Sequence, residues 1–395
     1  MGDGDVVLRR VHADFGDYEE DVIAEILARL PVKSLMRFRC VCKSWRALIS
    51  ESYFVKKHLS YEERGITESA HRLIFMLDPP LVLDYEALKS MKDDDYGDGD
   101  GAGAQFAVTQ LDFPVTKSIP DSGNRVAVGS CNGLVCVQVD CEAIMLWNPC
   151  TRDSKILPEP PRVINSEYWY YFYGFGYDSA SDDYKVIRGF TDYLAKKIMI
   201  HIFSLKTGSW RSVEDIDYVT LIMQQGLFLN GALHWLYNLP EGCSRILSFD
   251  LETERFQKTI PFPYDAWFYD LLIYKNCLCV LACPTGTNTF NIWMMKEYGV
   301  KESWTEVVQF SFERYAAHYH DFRSYFTPVC IFENGVVLID EMGECERLMV
   351  LSNLKEKEYK HVVEVAENLE FRSVIYRETL VSPDVHTYKT NNICR

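Results

Sequence analysis

The spacing of apolar residues divides the chain into a short helical part and a long β-rich part. Between residues 18 and 59, apolar side chains recur at the spacing of a buried helix face. The first run contains Val22, Ile23, Ile26, Leu27 and Leu30. Pro31 ends this run, because the residue before a proline avoids the α region.

Two further runs of helical spacing follow Pro31. The second carries Leu35 and Phe38, and the third carries Val41, Trp45, Leu48 and Ile49. We predict three short helices over residues 18–59, the second capped by Ser34, since serine is a good N-cap. Such short helices cannot hide this many large apolar groups from water, which predicts a packing partner. In the alternative, the helices pack only on the chain's own β-rich part.

Beyond residue 70 the pattern changes to short β-rich runs separated by turn residues. Residue pairs typical of hairpin turns recur about 46–58 residues apart. These pairs are Asn132-Gly133, Asp182-Asp183, Asn230-Gly231, Asn276-Cys277 and Asn334-Gly335. Asn-Gly favours a type I′ turn, which needs two residues with positive φ. A period of this length indicates a repeat architecture.

The repeats also share aromatic residues at the ends of strands. Trp147, Phe203 and Phe249 each close an apolar strand and are followed four residues later by Thr151, Thr207 and Thr253. Trp210 and Phe256 then open the next strand, whereas Trp293 is followed by Trp304. This difference predicts about four extra residues, within 297–300. Each repeat therefore predicts four short strands, which is one blade of a β-propeller.

Five blades can be read directly, and a sixth can be assembled from both chain ends. The C-terminal strand would lie within 372–382, and the N-terminal strands near 73–76, 81–85 and 106–109. A ring closed in this way has no exposed sheet edges. We predict a six-bladed, kelch-like propeller over residues 70–385. The alternative is an open β-sandwich, or two small sandwiches.

The remaining segments are predicted to lie outside these two parts. Residues 1–17 are expected to be a flexible N-terminus and residues 386–395 a tail. The segment KDDDYGDGDGAGA at 92–104 is acidic, glycine-rich and nearly free of apolar groups. We expect a disordered loop there, because such a composition buries too little apolar surface to offset the loss of chain entropy.

Composition restricts the compartment in which the chain works. No stretch approaches the ~20 apolar residues that a membrane span needs, and the first residues lack an apolar signal core. The 13 cysteines are odd in number, and Asn-x-Ser/Thr glycosylation sites are absent. These features favour a reducing compartment, so we expect a cytoplasmic and also nuclear location, without a membrane partner.

The charge is distributed unevenly between the two parts. The chain carries −16 at pH 7, but residues 18–60 hold eight Lys/Arg against five Asp/Glu, a net +3 that leaves −19 elsewhere. A chain this acidic is a poor partner for nucleic acid or anionic membranes. A basic protein is the more plausible partner.

The N-terminal segment LARLPVKSLMRFRCVCKSWRALIS resembles the plant F-box. Leu30-Pro31-Val32-Lys33-Ser34-Leu35, Arg39, Val41-Cys42-Lys43 and Trp45 match that motif position by position. The resemblance implies an F-box at 18–60 that binds a Skp-type adaptor and, through it, cullin and RING subunits. It further implies that the adaptor buries Leu30, Pro31, Val32, Leu35, Phe38, Val41, Trp45, Leu48 and Ile49, with the basic residues facing its acidic surface.

Five sequence segments in the β-rich part indicate a more specific family. YGFGYDSASDDYKVIR, FLNGALHWL, ILSFDLETERF, IWMMKEYGVKESW and FRSVIYRETL resemble the plant F-box-associated domain, and within it the S-locus F-box group. That group implies a role in pollen self-incompatibility, in which the receptor binds non-self S-RNases, which are basic proteins, for ubiquitination. F-box-associated proteins acting in immunity or development share most of these strings.

Several residue groups were weighed as sites of chemistry. In the run His318-Tyr319-His320-Asp321, two imidazoles could lie on one strand face as metal ligands, but the spacing suggests no third ligand. Cys277, Cys279 and Cys283 are typical of small core residues on a strand. The acidic run at 93–100 lacks the calcium-loop pattern. Phosphate-loop, nucleophile-elbow and dinucleotide motifs are absent. We therefore predict no catalytic residue, metal or cofactor.

These observations lead to one functional hypothesis and two rivals. The hypothesis is a non-catalytic substrate receptor of an SCF-type ubiquitin ligase, whose propeller binds a protein destined for proteasomal degradation. One rival is an enzyme, because six-bladed propellers can host an active site at the channel mouth. The other is a scaffold that acts without degradation. The substrate-binding residues cannot be named from the sequence.

Overall fold

Four helices precede the first strand in the part of the chain that the structure describes. The computed structural model describes residues 21–64, 71–77, 79–84, 108–114, 125–139, 143–161, 169–192, 197–217, 225–239, 244–257, 259–284, 289–311, 326–331, 336–342, 346–353, 358–366 and 373–384. The helices are α1, helical over 21–27, α2 (Val32–Phe38), α3 (Lys43–Ser50) and α4 (Ser52–Glu63). We call residues 21–64 the helical module.

The prediction of three helices is therefore wrong, because α4 was missed. Only Glu51 separates α3 from α4, and its extended backbone (φ −73°, ψ 139°) breaks the helix. The amide of Val55 already donates to the carbonyl of Glu51 at 2.9 Å, so α4 begins at once. A break of one residue leaves no signal in the apolar periodicity.

The predicted cap of α2 is also wrong. The helix begins at Val32 with Pro31 as its N-cap, and no side chain caps it. The carbonyl of Pro31 accepts from the amides of Ser34 and Leu35 at 2.9 and 3.2 Å. Proline suits this position, because its φ of −59° is close to the helical value and it has no amide hydrogen to leave unpaired. Ser34 thus lies inside the first turn.

Five runs of four consecutive strands each form one antiparallel four-stranded sheet. We call these sheets blades I to V. Blade I holds β4 (Val126–Cys131), β5 (Leu134–Gln138), β6 (Ile144–Trp147) and β7 (Ser154–Ile156), and blade II holds β8 (Trp169–Asp178), β9 (Asp183–Asp192), β10 (Lys197–Ser204) and β11 (Ser209–Asp217). Blade III holds β12 (Leu227–Leu229), β13 (Ala232–Asn238), β14 (Ser244–Asp250) and β15 (Arg255–Phe256). Blade IV holds β16 (Ala266–Tyr274), β17 (Cys277–Pro284), β18 (Thr289–Met295) and β19 (Trp304–Ser311), and blade V holds β20 (Phe326–Ile331), β21 (Val336–Met342), β22 (Glu346–Asn353) and β23 (Glu358–Ala366).

A further sheet joins the two ends of the chain, and we call it the composite sheet. It consists of β1 (His71–Phe75), β2 (Leu81–Asp84), β3 (Val108–Gln110) and β24 (Ser373–Arg377), in the order β24-β1-β2-β3. The pairing of β24 with β1 is antiparallel, with Leu73 opposite Ile375. The predicted pairing of N- and C-terminal strands is thus present. Residues 92–104 lie outside the described residues.

The sheets contact one another in chain order through their first strands. β24 contacts β4, and β4, β8, β12, β16 and β20 each contact the next in turn. Apolar side chains from both faces of the sheets fill the layers between them. This radial stack of four-stranded sheets is a β-propeller.

Positive-φ residues occupy most of the predicted hairpin turns. Asn132-Gly133 (φ 49° and 81°) and Asn230-Gly231 (φ 51° and 75°) join the first two strands of blades I and III, as type I′ turns require. Two predicted turns are shifted by one residue: Asp183 already belongs to β9, and blade IV turns at Lys275-Asn276 rather than Asn276-Cys277. The Asn334-Gly335 pair lies outside the described residues.

The threonines that recur after the third strands mark a shared turn. In each case the residue just after the closing aromatic accepts a hydrogen bond from the threonine amide. The bonds are Thr151 to Asn148 Oδ1 (3.3 Å), Thr207 to Ser204 Oγ (3.1 Å) and Thr253 to Asp250 Oδ1 (2.7 Å). Local side-chain acceptors of this kind replace the backbone partners that a turn leaves open.

Blade IV departs from the predicted register. Phe203 pairs with Trp210 and Phe249 with Phe256, but Trp304 pairs with Met295, while Trp293 pairs with Glu306. By the strand bounds, eight residues separate β18 from β19, against four at the same place in blades II and III, so the predicted four extra residues are present. The aromatic position is shifted, because Met295 and not Trp293 lies opposite Trp304.

The longer turn of blade IV reaches blade III. Tyr298 donates its hydroxyl to Nε2 of His234 at 2.5 Å, and Nδ1 of His234 donates to the carbonyl of Leu227 at 3.1 Å. His234 is fully buried, and burial lowers its pKa to about 4. The imidazole is therefore neutral at physiological pH and links the two blades through hydrogen bonds.

The links from one blade to the next are held by two tryptophans, the half-buried Trp210 and the buried Trp304. The indole Nε1 of Trp210 donates to the carbonyl of Pro158 at 2.7 Å, and that of Trp304 donates to Pro261 at 2.8 Å. In both cases the acceptor lies on the segment that leaves the preceding blade. Tryptophan suits this place because it fills the layer and also carries one donor.

The described part of the chain contains no helix that is long and apolar enough to cross a membrane.

Candidate adaptor interface

An ionic cluster joins the first and last helices of the helical module. Glu25 accepts from Lys57 at 2.5 Å, from Tyr61 at 2.5 Å and from Arg29 at 3.0 Å. These hydrogen bonds, that of Lys57 foremost, lower the pKa of Glu25 to about 2. The carboxylate therefore stays charged and keeps α4 fixed against α1.

A buried histidine connects α4 to the start of α2. Nε2 of His58 donates to the carbonyl of Leu30 at 2.9 Å, and burial lowers the pKa of the imidazole. His58 is only 1% exposed, so the hydrogen bond satisfies a polar group away from water. Leu30 and Pro31 are thus held in place by α4, the helix that the sequence analysis missed.

The helical module packs on the propeller. Its buried side chains belong to one continuous apolar core with residues of blades I and II and of the C-terminal segment. The members from the helical module are Leu27, Ala28, Val32, Leu35, Ile49, Phe54 and Val55. Lys56 of α4 also pairs with Asp182, in the turn between β8 and β9, at 2.5 Å. The helices therefore do pack on their own propeller, as the alternative reading required.

The nine predicted adaptor-binding residues fall into three groups by exposure. Val32, Leu35 and Ile49 are buried within the chain, at 3%, 0% and 1% exposure. Leu30, Phe38, Trp45 and Leu48 are half-buried against the same core. Pro31 is exposed, and Val41 is 63% exposed. Phe38 and Trp45 lie edge to face, with 5.4 Å between ring centroids.

The structure adds exposed apolar residues that the sequence analysis did not assign to this surface. Val22 and Ile26 on α1 are 58% and 57% exposed, and Tyr53 on α4 is 74% exposed. Val22 and Ile26 are one helical turn apart and therefore share a face. The sequence could have predicted this exposure, because the apolar residues of α1 cover more of the helix surface than one buried stripe can hold. With Val41, these residues form what we call the exposed apolar surface.

Basic residues accompany the exposed apolar surface on the helical module. Lys33, Arg37, Lys43 and Arg46 on α2 and α3 are all exposed. Their charge gives the module its net positive balance in an acidic chain. An acidic partner with an apolar face would complement this surface.

The residues weighed for chemistry do not form a metal site in the described part of the chain, where no group of three or more His, Cys, Asp or Glu could hold an ion. Cys279 is buried on β17 and donates to the carbonyl of Cys277 at 3.7 Å, and burial raises its pKa to about 12. It behaves as a small core residue, like its buried neighbours in blade IV. His318, His320 and Asp321 lie outside the described residues.

Fold and site together define a β-propeller protein with an N-terminal helical docking module. Residues 110–392 match the F-box associated beta propeller domain, and residues 20–57 match the F-box domain. The chain therefore belongs to the family of F-box proteins that carry an F-box-associated β-propeller.

Relatives from Arabidopsis thaliana share most of this organisation. An F-box/kelch-repeat protein is 27% identical and covers 92% of this chain and 95% of its own. The F-box protein CPR1 is 30% identical, over 73% of this chain and 71% of its own. Among solved structures, a putative 6-phosphogluconolactonase from Bacteroides uniformis matches 78% of this chain and 100% of its own, at 9% identity and a TM-score of 0.39. Likeness at that level bears on no question of activity.

Proposed function

We propose that this chain is the substrate-recognition subunit of an SCF-type ubiquitin ligase. The helical module would bind a Skp-type adaptor and, through it, cullin and RING subunits. The propeller would bind the protein to be ubiquitinated and degraded. Family membership supports this role, and the exposed apolar surface is the observation that carries it, because such residues on one small module indicate a protein interface.

The adaptor contact is expected to involve some of the nine residues predicted from the sequence and some of the exposed apolar residues that the structure adds. Val41 and Pro31, with Val22 and Ile26, present their side chains to solvent. Val32, Leu35 and Ile49 would shape the surface from beneath, since the chain already buries them. The half-buried residues would complete the interface at its edges. Catalysis would take place on partner subunits, so the chain itself needs no reactive group.

For the propeller, we propose six blades that close into a ring. The composite sheet would act as the sixth blade between blades V and I. Its contact with blade I supports this arrangement. The helical module occupies the blade ends near Asp182, so the opposite blade ends would be open to a substrate.

The proposed adaptor contact can be tested with a double variant. Ile26→Glu with Val41→Glu places two charges on the exposed apolar surface, and we expect adaptor affinity to fall at least about a hundredfold. This follows if each side chain loses roughly 1.5–3 kcal/mol of burial. Binding is measured with purified adaptor, and thermal unfolding confirms the fold. Val300→Glu, at an exposed valine of the propeller, is the matched control. Stoichiometric co-purification of the double variant with the adaptor would refute the assignment.

For the substrate, a basic protein is proposed, and non-self S-RNases in pollen are the sharpest candidate. The resemblance to the S-locus group and the net charge of −16 support this choice. A target in plant immunity or development is the second candidate, because other F-box-associated proteins share the same strings. A scaffold role without degradation is the third.

Binding of the proposed cargo should depend on salt. A basic protein approaching an acidic propeller is steered by long-range attraction, which weakens as the Debye length falls below ~10 Å. We expect basic S-RNases to associate faster than size-matched acidic proteins at low salt, with the difference shrinking at moderate salt. Association rates over such a panel measure this. Equal rates across the panel would show that the negative charge does not attract the substrate. Its effect would then be on solubility alone.

A further inference from the structure

An aromatic cluster lies where the segment between blades III and IV meets blade IV. Phe262 contacts Trp293 and Trp304 edge to face, with centroid distances of 5.8 and 5.1 Å. Tyr264 contacts both Phe262 and Trp293, at centroid distances of 6.2 and 5.4 Å, and is 55% exposed. The cluster is therefore not closed off as a core. One of its rings, that of Tyr264, is exposed to solvent and contacts the indole of Trp293 at an interplanar angle of 56°.

Polar groups on the same strand face adjoin these rings. Trp293 pairs with Glu306 across β18 and β19, so the two side chains project from one face. Asn291, two residues before Trp293, donates from Nδ2 to Oε2 of Glu306 at 2.7 Å. Glu306 is exposed. The rings thus have a carboxylate fixed beside them.

Two polar atoms in this region lack hydrogen-bond partners in the described part of the chain. These are Oδ1 of Asn291, a side chain only 4% exposed, and Nε1 of Trp293. Buried polar atoms are nearly always paired, because leaving one unpaired costs free energy. An unpaired acceptor beside a carboxylate and aromatic rings indicates a ligand that donates hydrogen bonds. An unpaired indole donor indicates that the same ligand also carries an acceptor.

We propose that Tyr264, Asn291, Trp293 and Glu306 form a binding site for an arginine side chain of the protein substrate, which we call the arginine site. The planar guanidinium stacks on Tyr264 and donates to Glu306 and to Oδ1 of Asn291. The indole of Trp293 donates to a carbonyl of the same peptide segment. Arginine fits better than lysine, because its flat, forked guanidinium can stack on an exposed aromatic ring and donate to two adjacent oxygen acceptors.

The surroundings agree in charge with such a ligand. Asp265, next to Tyr264, is 73% exposed and lies 3.5 Å from Arg245. The chain as a whole carries −16. The inference rests on the proposed function, since it places a basic segment of a substrate on the propeller.

The test uses the full chain in complex with its adaptor and a peptide probe. The peptide consists of glycine and serine with one central arginine, and matched peptides carry glutamine or lysine instead. Binding is followed through the indole resonances of the nitrogen-labelled protein, with Trp293→Phe assigning the relevant one. We expect the arginine peptide to shift the Trp293 resonance and to bind at least tenfold more tightly than the glutamine peptide.

Variants separate the site from general acidity. Glu306→Gln and Tyr264→Ala should each weaken the arginine peptide at least tenfold. Glu302→Gln removes the same charge from a nearby exposed position and should leave binding unchanged. Thermal unfolding establishes that each variant keeps the fold. Equal binding of the arginine and glutamine peptides, no shift at Trp293, or equal effects of Glu306→Gln and Glu302→Gln would overturn the proposal. Equal affinity for lysine would overturn the choice of arginine.

The result can be distinguished from failure of the proposed function. Adaptor binding is measured on the same variants and should be unaffected, because the arginine site lies in blade IV. If the adaptor does not bind the unmodified chain, the receptor role fails regardless of the peptide. If the adaptor binds and the peptide does not discriminate, only the arginine site fails.

Discussion

Removal of residues 371–395 is expected to abolish folding of the propeller. The deletion removes β24, the edge strand of the composite sheet that contacts β4 of blade I. It also removes Thr379, Leu380 and Val381, which are 1%, 6% and 5% exposed and belong to the interior. The strands β1 to β3 would lose their neighbour, and blade I would expose its apolar face to water. Circular dichroism and size-exclusion chromatography measure the outcome.

The controls for this deletion are graded. A chain that ends after Asp384 keeps β24 and the buried segment. We expect its thermal stability to equal that of the full chain. Asn148→Ala should lower the free energy of unfolding by less than the long deletion does. It removes the hydrogen bonds that Nδ2 of the buried Asn148 donates to the carbonyls of Thr379 and Val381 at 3.0 and 2.7 Å. Loss of these bonds should cost about 1–3 kcal/mol. A well-behaved monomer with cooperative unfolding after the long deletion would show that the composite sheet is dispensable.

Lys185→Met is expected to lower the free energy of unfolding by about 3–5 kcal/mol, the cost of breaking a buried ion pair by removing one partner. Lys185 is buried, and its ammonium contacts Oδ2 of Asp178, the carbonyl of Leu251 and Oε1 of Glu254 at 2.8, 2.7 and 2.8 Å. It therefore joins blade II to the turn of blade III. Methionine fills a similar volume but leaves the carboxylate of Asp178 without its cation and that of Glu254 paired with Arg211 alone.

The pH dependence of this variant follows from Asp178. Burial alone would raise the pKa of Asp178, but hydrogen bonds from Lys185 and Ser181 hold it below its usual value. Without Lys185 the pKa of Asp178 in the folded protein should rise, although the hydrogen bonds from Ser181 and Ala180 remain. A carboxyl with a depressed folded pKa stabilises the fold above its unfolded pKa, and the variant loses part of this contribution. The deficit relative to the unmodified protein should therefore shrink as pH falls from neutrality.

Urea unfolding at several pH values measures both effects. Lys206→Met is the matched control, because Lys206 is exposed in the same blade and its ammonium donates to the carbonyl of Ser181 at 2.8 Å. We expect that substitution to change stability by less than about 1 kcal/mol. If Lys185→Met cost no more than Lys206→Met, the ionic link between blades II and III would have no part in stability.

The local pattern was sufficient for those features that a few neighbouring residues decide. Asn132-Gly133 and Asn230-Gly231 were identified as turns because glycine and asparagine reach positive φ at low cost. The threonine turns after Trp147, Phe203 and Phe249 follow from side-chain hydrogen bonds within four residues. The helical module was recognised from its apolar spacing and its motif.

Features that depend on distant residues were missed or left open. The arginine site combines a strand face of blade IV with the segment at 259–265, so no single stretch of sequence shows it. Gly189 gives a clear example, because a Cβ atom there would collide with the ring of Phe172 on the neighbouring strand. The residues next to Gly189 in the sequence do not predict this contact with Phe172.

The sequence by itself determined the two-part organisation, the repeat, the pairing of the chain ends and the family. Each of these features can be identified from a periodic pattern or from a contiguous stretch of residues. Tertiary structure alone decided which apolar residues of the helical module remain available. Val32 and Val41 belong to the same motif, yet the first is 3% and the second 63% exposed. The difference arises because the helices pack against blades I and II through α4, a contact between residues far apart in the chain.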